Sequence, residues 1–158
     1  MRLTAITMAA TLIAGTAFAD GVAPGEVQYG EYGEVAASLS GAPGDAANGR
    51  KVFTTKSMGN CVSCHAVSSL DDVPFHGEVG PALDGVGEYR NAEELRGIVA
   101  NAKMTFEGTV MPAFYKTSGF IRPGDGYTGK APKGDLAPIL SAQDIEDLVA
   151  FLLTLKES

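Results

Sequence analysis

The chain has 158 residues, of which 12 are Lys or Arg and 19 are Asp or Glu, so its formal net charge is −7. This length corresponds to one ordinary domain, and the acidic balance argues against nucleic acid and anionic membrane surfaces as partners. The acidic excess has two interpretations, a partner with a basic face or solubility alone, and solubility is the simpler of the two.

The N-terminus carries the pattern of a secretory signal. Met1-Arg2 is a short positive start, residues 3–14 are mostly apolar, and Ala17-Phe18-Ala19 is a small-x-small cleavage pattern. We expect residues 1–19 to be removed on export, which leaves residues 20–158; an uncleaved anchor is the alternative. No other segment approaches the roughly 20 apolar residues of a membrane helix, so no membrane span is expected in the exported chain.

Residues 20–44 are interpreted as an N-terminal extension and not as a second domain. They are rich in Gly, Ala and Glu and contain Pro24 and Pro43, with helical character only around residues 34–39. We expect the extension to wrap around the core or around a partner. The globular domain is then expected to comprise residues 45–158.

The first helix of this domain is predicted to follow Asp45, a residue type that caps helix N-termini, and to continue to about Lys56. Its apolar residues share one face at helical spacing: Ala46, Gly49, Val52 and Phe53. A glycine inside a helix costs stability unless its missing side chain is needed. Gly49 therefore predicts a close crossing with the C-terminal helix, with Phe53 and Phe151 in the contact.

Both cysteines lie in one short motif, Cys61-Val62-Ser63-Cys64-His65. Cys-x-x-Cys-His is the attachment signature of a c-type haem. The two thiols become thioethers to the haem, and the histidine becomes the proximal ligand of its iron. We therefore predict one covalently bound haem c, attached through Cys61 and Cys64 and ligated by His65.

Three other interpretations of the motif are weaker. A thioredoxin-like pair expects a preceding strand, which residues 54–60 do not resemble. A zinc site needs about four ligands, and with no further Cys and one other His, carboxylates would have to complete it. A disulfide across so short a loop would stabilise little. Haem is attached to such proteins after export, so the motif and the signal together predict a periplasmic location.

A third helix is predicted over residues 92–103, because Asn91 is a good N-cap and Glu94 follows it three residues later. Residues 117–138 contain several Gly and Pro and no clear element. A loop of that length in a compact domain is typically functional or in contact with a partner. No convincing pair of strands occurs anywhere, so the fold is predicted to be all-α.

The C-terminal helix is the strongest helix prediction. Ser141 and Asp144 have the spacing of a capping box, and an apolar stripe follows. The stripe consists of Ile145, Leu148, Val149, Leu152 and Leu155. We expect Glu146 and Asp147 to lie on the exposed face.

The second axial ligand decides what a haem can do, because an open site binds gases or peroxide whereas a Met or His ligand makes an electron carrier. The candidates are Met58, Met104, Met111 and His76. Pro112 restricts Met111 to an extended backbone, which suits a stiff loop that presents a thioether. We predict Met111 as the ligand, with Met104 as the main alternative. His76 is expected to be a surface or hydrogen-bonded residue.

The order and spacing of these features resemble the class I cytochrome c family over about residues 45–158. The matching features are the first helix, the motif at 61–65, Gly80-Pro81-Ala82-Leu83, Met111-Pro112 and the amphipathic last helix. The resemblance implies the class I cytochrome c fold, here with an N-terminal extension and a long irregular loop before the C-terminal helix. It also implies that the carbonyl of Pro81 accepts the Nδ1–H of His65. The chain departs from many relatives in having no Trp.

Three runs carry a narrower resemblance, to the SoxX family of sulfur-oxidation cytochromes: PFHGEVGPALDGVG at 74–87, MPAFYK at 111–116 and PILSAQ at 138–143. The resemblance implies a monohaem subunit with His/Met ligation that forms a heterodimer with the haem protein SoxA. That complex joins thiosulfate oxidatively to a cysteine of the carrier SoxYZ, which is an L-cysteine S-thiosulfotransferase type of reaction. This subunit would accept electrons and pass them to a small soluble cytochrome c.

No residue has the setting of a catalytic nucleophile or an acid–base pair, so the chain is expected to be an electron-transfer subunit with no catalytic residues of its own. Two alternatives stay open. One is a free-standing periplasmic electron shuttle. The other is a gas- or peroxide-reactive haem protein with an open distal site.

Overall fold

The computed structural model describes residues 21–121, 123–124 and 129–157, so the predicted signal segment lies outside the described residues. Four α-helices are present within this part: α1 (Ala46–Thr54), α2 (Val86–Tyr89), α3 (Ala92–Asn101) and α4 (Ala142–Leu152). Single 3-10 turns occur at Pro24–Glu26, Cys61–Ser63 and Ala102–Met104. The described residues contain no strand, which confirms the all-α prediction. Within them, no helix is long and apolar enough to cross a membrane.

Helices α1 and α4 cross at Gly49, as predicted. A Cβ on Gly49 would lie 2.7 Å from the Cβ of Phe151, so only glycine lets the two backbones approach this closely. Beside the crossing, the rings of Phe53 and Phe151 are tilted by 58° with their centroids 5.5 Å apart. Val52 and Ile145 are fully buried in the same core. The crossing therefore joins the beginning and the end of the domain.

Asp147 pins the N-terminus of α1 to α4. Its two carboxylate oxygens accept hydrogen bonds from the Asp45 backbone N–H (2.8 Å) and from the Asn48 amide (2.6 Å), and Gln143 also donates to it (2.7 Å). Burial opposes ionisation of this carboxyl, but the three hydrogen bonds outweigh it and hold the pKa of Asp147 below its ordinary value. The prediction that Asp147 and Glu146 are exposed was wrong, since both are buried.

The N-terminal extension packs on the core through a buried ion pair. Arg96 of α3 and Glu146 of α4 lie 2.8 Å apart. The guanidinium also donates to the carbonyl of Val35 (2.7 Å), and the carboxylate accepts from the N–H of Leu39 (2.7 Å). Val35 and Leu39 are themselves buried. The predicted helical character around residues 34–39 was wrong, because this segment is held in a non-helical form by side chains far away in sequence.

Helix α3 begins with the predicted capping box between Asn91 and Glu94. It ends at Asn101, slightly earlier than predicted, because its last turn tightens into the 3-10 turn Ala102–Met104. The one-turn helix α2 was not predicted, since four residues are too few to show a period.

The two ends of the long loop lie side by side. Tyr115 donates its N–H to Ala100 of α3 (3.0 Å), and Leu140 donates its N–H to Phe114 (3.1 Å). The described residues between Tyr115 and Leu140 form neither helix nor strand. The loop thus leaves the core and returns to it at one place.

Candidate haem site

The attachment motif is built on a tight turn. Residues Cys61–Ser63 form a single 3-10 turn, and the carbonyl of Cys61 accepts from the N–H groups of Cys64 (3.0 Å) and His65 (2.9 Å). Asn60 enters the turn with a left-handed φ of 49°, a conformation that asparagine tolerates. Cys61 and Cys64 are both free thiols. Both sulfurs are therefore available for covalent attachment within one short segment.

The thiol chemistry disfavours the other interpretations of the motif. Burial, together with the nearby Cys64, raises the pKa of the Cys61 thiol to about 12. Redox-active cysteines need the opposite shift, toward the deprotonated form. Among the described residues, no group of three or more His, Cys, Asp or Glu side chains could hold a metal ion.

His65 is oriented by Gly80 and Pro81, which lie in the segment that follows the attachment turn. Its Nδ1 lies 2.8 Å from the carbonyl oxygen of Pro81, the contact that the family resemblance implied. A carbonyl can only accept, so Nδ1 carries the proton and Nε2 keeps its lone pair for a metal. A Cβ on Gly80 would lie 2.6 Å from Nδ1 and 2.8 Å from Nε2. The imidazole therefore rests directly on the Gly80 backbone, a role that the sequence signals only as a glycine before a proline.

Three backbone hydrogen bonds join the attachment turn to residues 77–83. Gly77 donates to Val62 (2.9 Å), Gly80 donates to Cys64 (2.8 Å), and Leu83 donates to Ala66 (2.9 Å). A Cβ on Gly77 would lie 2.9 Å from the Cα of Cys64, so the two segments are in direct contact. Together, residues 59–87 form one unit, which we call the attachment segment.

His76 belongs to this segment and not to a distal loop. Its Nδ1 accepts from the N–H of Val67 at 3.4 Å, in keeping with the expectation of a hydrogen-bonded residue. Its Nε2 therefore carries the proton, and this buried atom has no hydrogen-bond partner among the described residues.

The candidate methionines differ in their surroundings. Met58 and Met111 are half-buried against the core, whereas Met104 is 48% exposed. Met104 lines a surface depression together with Tyr32 of the extension. Its position faces the extension, which makes it the poorer candidate for an axial ligand.

Met111 is held by two polar contacts of its own backbone. Its N–H donates to the hydroxyl of Thr109 (3.2 Å), and its carbonyl accepts from the ammonium of Lys103 (2.6 Å). The contact with Lys103 was missed at the level of sequence, because nothing in the pattern distinguishes this lysine from one on a solvated helix end.

These residues fit a c-type haem. The chain offers two free thiols, an imidazole with its Nε2 lone pair available, and half-buried thioethers. Half-buried apolar side chains also pack against the core in and around the attachment segment, as an apolar macrocycle requires: Met58, Val73, Leu83 and Met111.

Comparison with known proteins agrees with this geometry. A family model described as cytochrome c matches residues 46–156, a range that includes both cysteines, His65, Pro81 and Met111. Among solved structures, a chain of the crystal structure of SoxXA from P. pantotrophus is 60% identical, with a TM-score of 0.83. The similarity covers 87% of this chain and 100% of that chain. A search among curated proteins gave no match.

Proposed function

The chain belongs to the cytochrome c family, as a SoxX-type member, and from that premise we propose that it is the electron-accepting subunit of a periplasmic SoxAX complex. The observation that carries the proposal is the 60% identity to a chain of SoxXA over 100% of that chain. In the proposed reaction, the S–H bond of a SoxYZ cysteine breaks, its proton passes to solvent, and a bond forms between that sulfur and a thiosulfate sulfur with the release of two electrons. The electrons released leave one at a time through this subunit to a small soluble cytochrome c.

One haem c, covalently bound, is the cofactor of this family. When bound, it supplies a one-electron Fe(III)/Fe(II) couple. Cys61 and Cys64 would hold it as thioethers, and His65 would ligate the iron through Nε2. Pro81 keeps the imidazole in the required tautomer, because its carbonyl holds the proton on Nδ1 at 2.8 Å.

Met111 is proposed as the distal ligand. Its half-buried position, its fixed backbone and the exposed position of Met104 support this assignment. In the oxidised holoprotein, we expect Met111→Leu to abolish the weak far-red absorption band of methionine-ligated ferric haem and to open the iron to imidazole. Met104→Leu is the matched control and should leave the band intact. Survival of the band in Met111→Leu together with its loss in Met104→Leu would reverse the assignment.

The long loop is the proposed contact with the SoxA-type subunit. Its described residues are mostly exposed, and they include Ile121, which is 99% exposed. Because its ends already meet beside Phe114 and Leu140, residues 118–136 could be replaced by a short Gly-Ser linker without disturbing the helices. The extension is a poorer target for deletion, since it contributes Val35 and Leu39 to the core.

The test is purification from the native host, followed by gel filtration and mass analysis of the peak. We expect a covalent haem adduct on this chain and a second haem subunit at equal stoichiometry. The loop replacement should keep the haem adduct and lose the second subunit. A wild-type protein that elutes alone as a monomer would favour the free-standing shuttle instead, and copurification undiminished by the loop replacement would place the contact elsewhere.

A further inference from the structure

Phe75 combines two unfavourable features. Its backbone has a φ of 63°, in the left-handed region that bulky side chains rarely adopt, and its side chain is 94% exposed. Left-handed strain costs free energy, and an aromatic ring in water recovers none of it through burial. Contacts within the chain hold this backbone, but the exposed ring contributes nothing to folding, so the presence of a large aromatic side chain here calls for an explanation outside the isolated chain.

The residues around Phe75 hold it in this position. On its C-terminal side, the ring of His76 accepts from Val67, and Gly77 donates to Val62. Gly77 is also pressed against the Cα of Cys64. Because these contacts fix the backbone on the attachment turn itself, the ring is presented to solvent from a rigid base that lies directly on the haem-binding motif.

The charge of this region is one-sided. Residues 66–89 contain five acidic residues and no Lys or Arg. Asp71 and Glu78 are exposed and flank Phe75 in sequence, and Val79 is a second exposed apolar side chain, at 71%. The negative charge of Asp72 is partly offset by its ion pair with Arg50, in which the guanidinium nitrogen lies 2.6 Å from the carboxylate oxygen. We call Phe75 and Val79, with Asp71 and Glu78, the acidic–apolar patch.

We propose that the acidic–apolar patch is the docking site for the electron acceptor, and that this acceptor is a small redox protein with a basic face. The inference rests on the proposed function and adds the surface and the charge of the partner. One electron leaves this chain, which is oxidised, and reduces the one-electron centre of the acceptor; no proton or bond is involved. The base of the patch is hydrogen-bonded to the turn that bears Cys64, so docking there would bring the acceptor to the segment that would hold the haem.

The size and charge of the patch favour a transient redox partner over a permanent subunit and over a second copy of this chain. Permanent subunit interfaces bury large apolar areas, whereas transient redox complexes are small and rely on charge for encounter. Two exposed apolar side chains that are flanked in the chain by exposed acidic residues match the second kind. A second copy of this chain would bring a net charge of −7 to an acidic surface.

The experiment measures electron transfer from the reduced holoprotein to a small basic cytochrome c by stopped flow, over a range of ionic strength. Phe75→Asn removes the ring with a residue that tolerates left-handed φ, and Glu78→Lys reverses a rim charge. The matched controls are Tyr32→Asn, an aromatic residue of the extension exposed to 74%, and Glu93→Lys, an exposed acid on α3. Each variant is first shown to carry covalent haem and to be reduced by ascorbate. Binding is also measured by NMR with both proteins oxidised, so that no electron moves.

We expect Phe75→Asn to lower the second-order rate constant about tenfold and to remove the NMR shifts at the patch. Glu78→Lys should lower the rate at low salt and flatten its dependence on ionic strength. The controls should behave like the wild type. Wild-type rates in both patch variants would overturn the inference. It would also be overturned if Phe75→Asn kept the wild-type transfer rate but no longer bound the SoxA-type subunit, or no longer self-associated, because the patch would then serve one of those contacts. Failure of ascorbate reduction in the wild type would instead contradict the proposed function.

Discussion

The segment that carries His65 and the segment that carries Met111 are held by different kinds of contact. His65 is fixed by backbone, since the Pro81 carbonyl binds its Nδ1 and the Gly80 backbone lies against its ring. The backbone of Met111 is fixed by side chains, the hydroxyl of Thr109 and the ammonium of Lys103. Backbone contacts survive most substitutions, so the position of His65 should be disturbed only when a new side chain intrudes on its ring. The methionine side can be loosened one side chain at a time.

The largest effect is expected from intrusion at the histidine side. In Gly80→Ala the new Cβ would overlap the imidazole of His65, so the ring or the Pro81 turn must move. We expect the variant to lose more than about 3 kcal/mol of stability or to fail in haem attachment, measured by denaturant unfolding and by mass spectrometry. Gly25→Ala is the matched control, because a Cβ there would meet nothing within 4 Å. A Gly80→Ala protein with normal haem content and stability would contradict the close packing.

A smaller loss of stability is expected from a change at the contact between α1 and α4. This contact supports the attachment segment, because Gly59 donates a hydrogen bond to Val52 of α1 (3.2 Å). Asp147→Asn weakens the hold of α4 on α1, and we expect a loss of about 2 kcal/mol at neutral pH. Because the folded-state pKa of Asp147 is lowered, its contribution is fully present above the unfolded pKa of about 4 and disappears as the pH falls through the folded pKa.

Urea unfolding of wild type and Asp147→Asn at several pH values checks this expectation. The difference between the two proteins should shrink below about pH 4. A difference that stays constant down to low pH would show that the loss comes from packing and not from the charged carboxylate.

The smallest effect is expected at Lys103, an exposed residue that acts on Met111 only through its carbonyl. Lys103→Gln should keep the fold and cost about 1 kcal/mol of distal ligation. That cost corresponds to imidazole binding to the ferric protein about fivefold more tightly, with a weaker far-red band. Lys103→Arg should have the imidazole affinity and far-red band of the wild type. Lys51→Gln, at an exposed position of α1, should have them as well. Identical imidazole affinity in Lys103→Gln and wild type would remove Lys103 from this role.

The features that could be predicted from the sequence are those that depend on neighbours in the chain. The caps at Asn91 and Ser141 need only residues three positions away, and Gly49 shows its purpose because a helix tolerates glycine poorly. The attachment motif is equally local. These signals were enough for the helices, the crossing and the covalent part of the site.

The features that could not be predicted depend on distant partners. Glu146 and Asp147 look like residues of a solvated helix face, but their partners in the extension and in α1 are about a hundred residues away. The same distance explains why residues 34–39 are not helical. The left-handed backbone of Phe75 is imposed by contacts with the attachment turn, and no propensity predicts it.

The hydrogen bond between Leu140 and Phe114 has a consequence for how such a protein can diverge. A loop whose two ends are already joined can become longer at an entropic cost of only about 0.6 kcal/mol for each doubling of its length. Insertions and deletions there leave the helical frame and both proposed iron ligands in place. If this loop binds the SoxA-type subunit as proposed, the identity of the partner can change in evolution while the haem-binding residues stay constant.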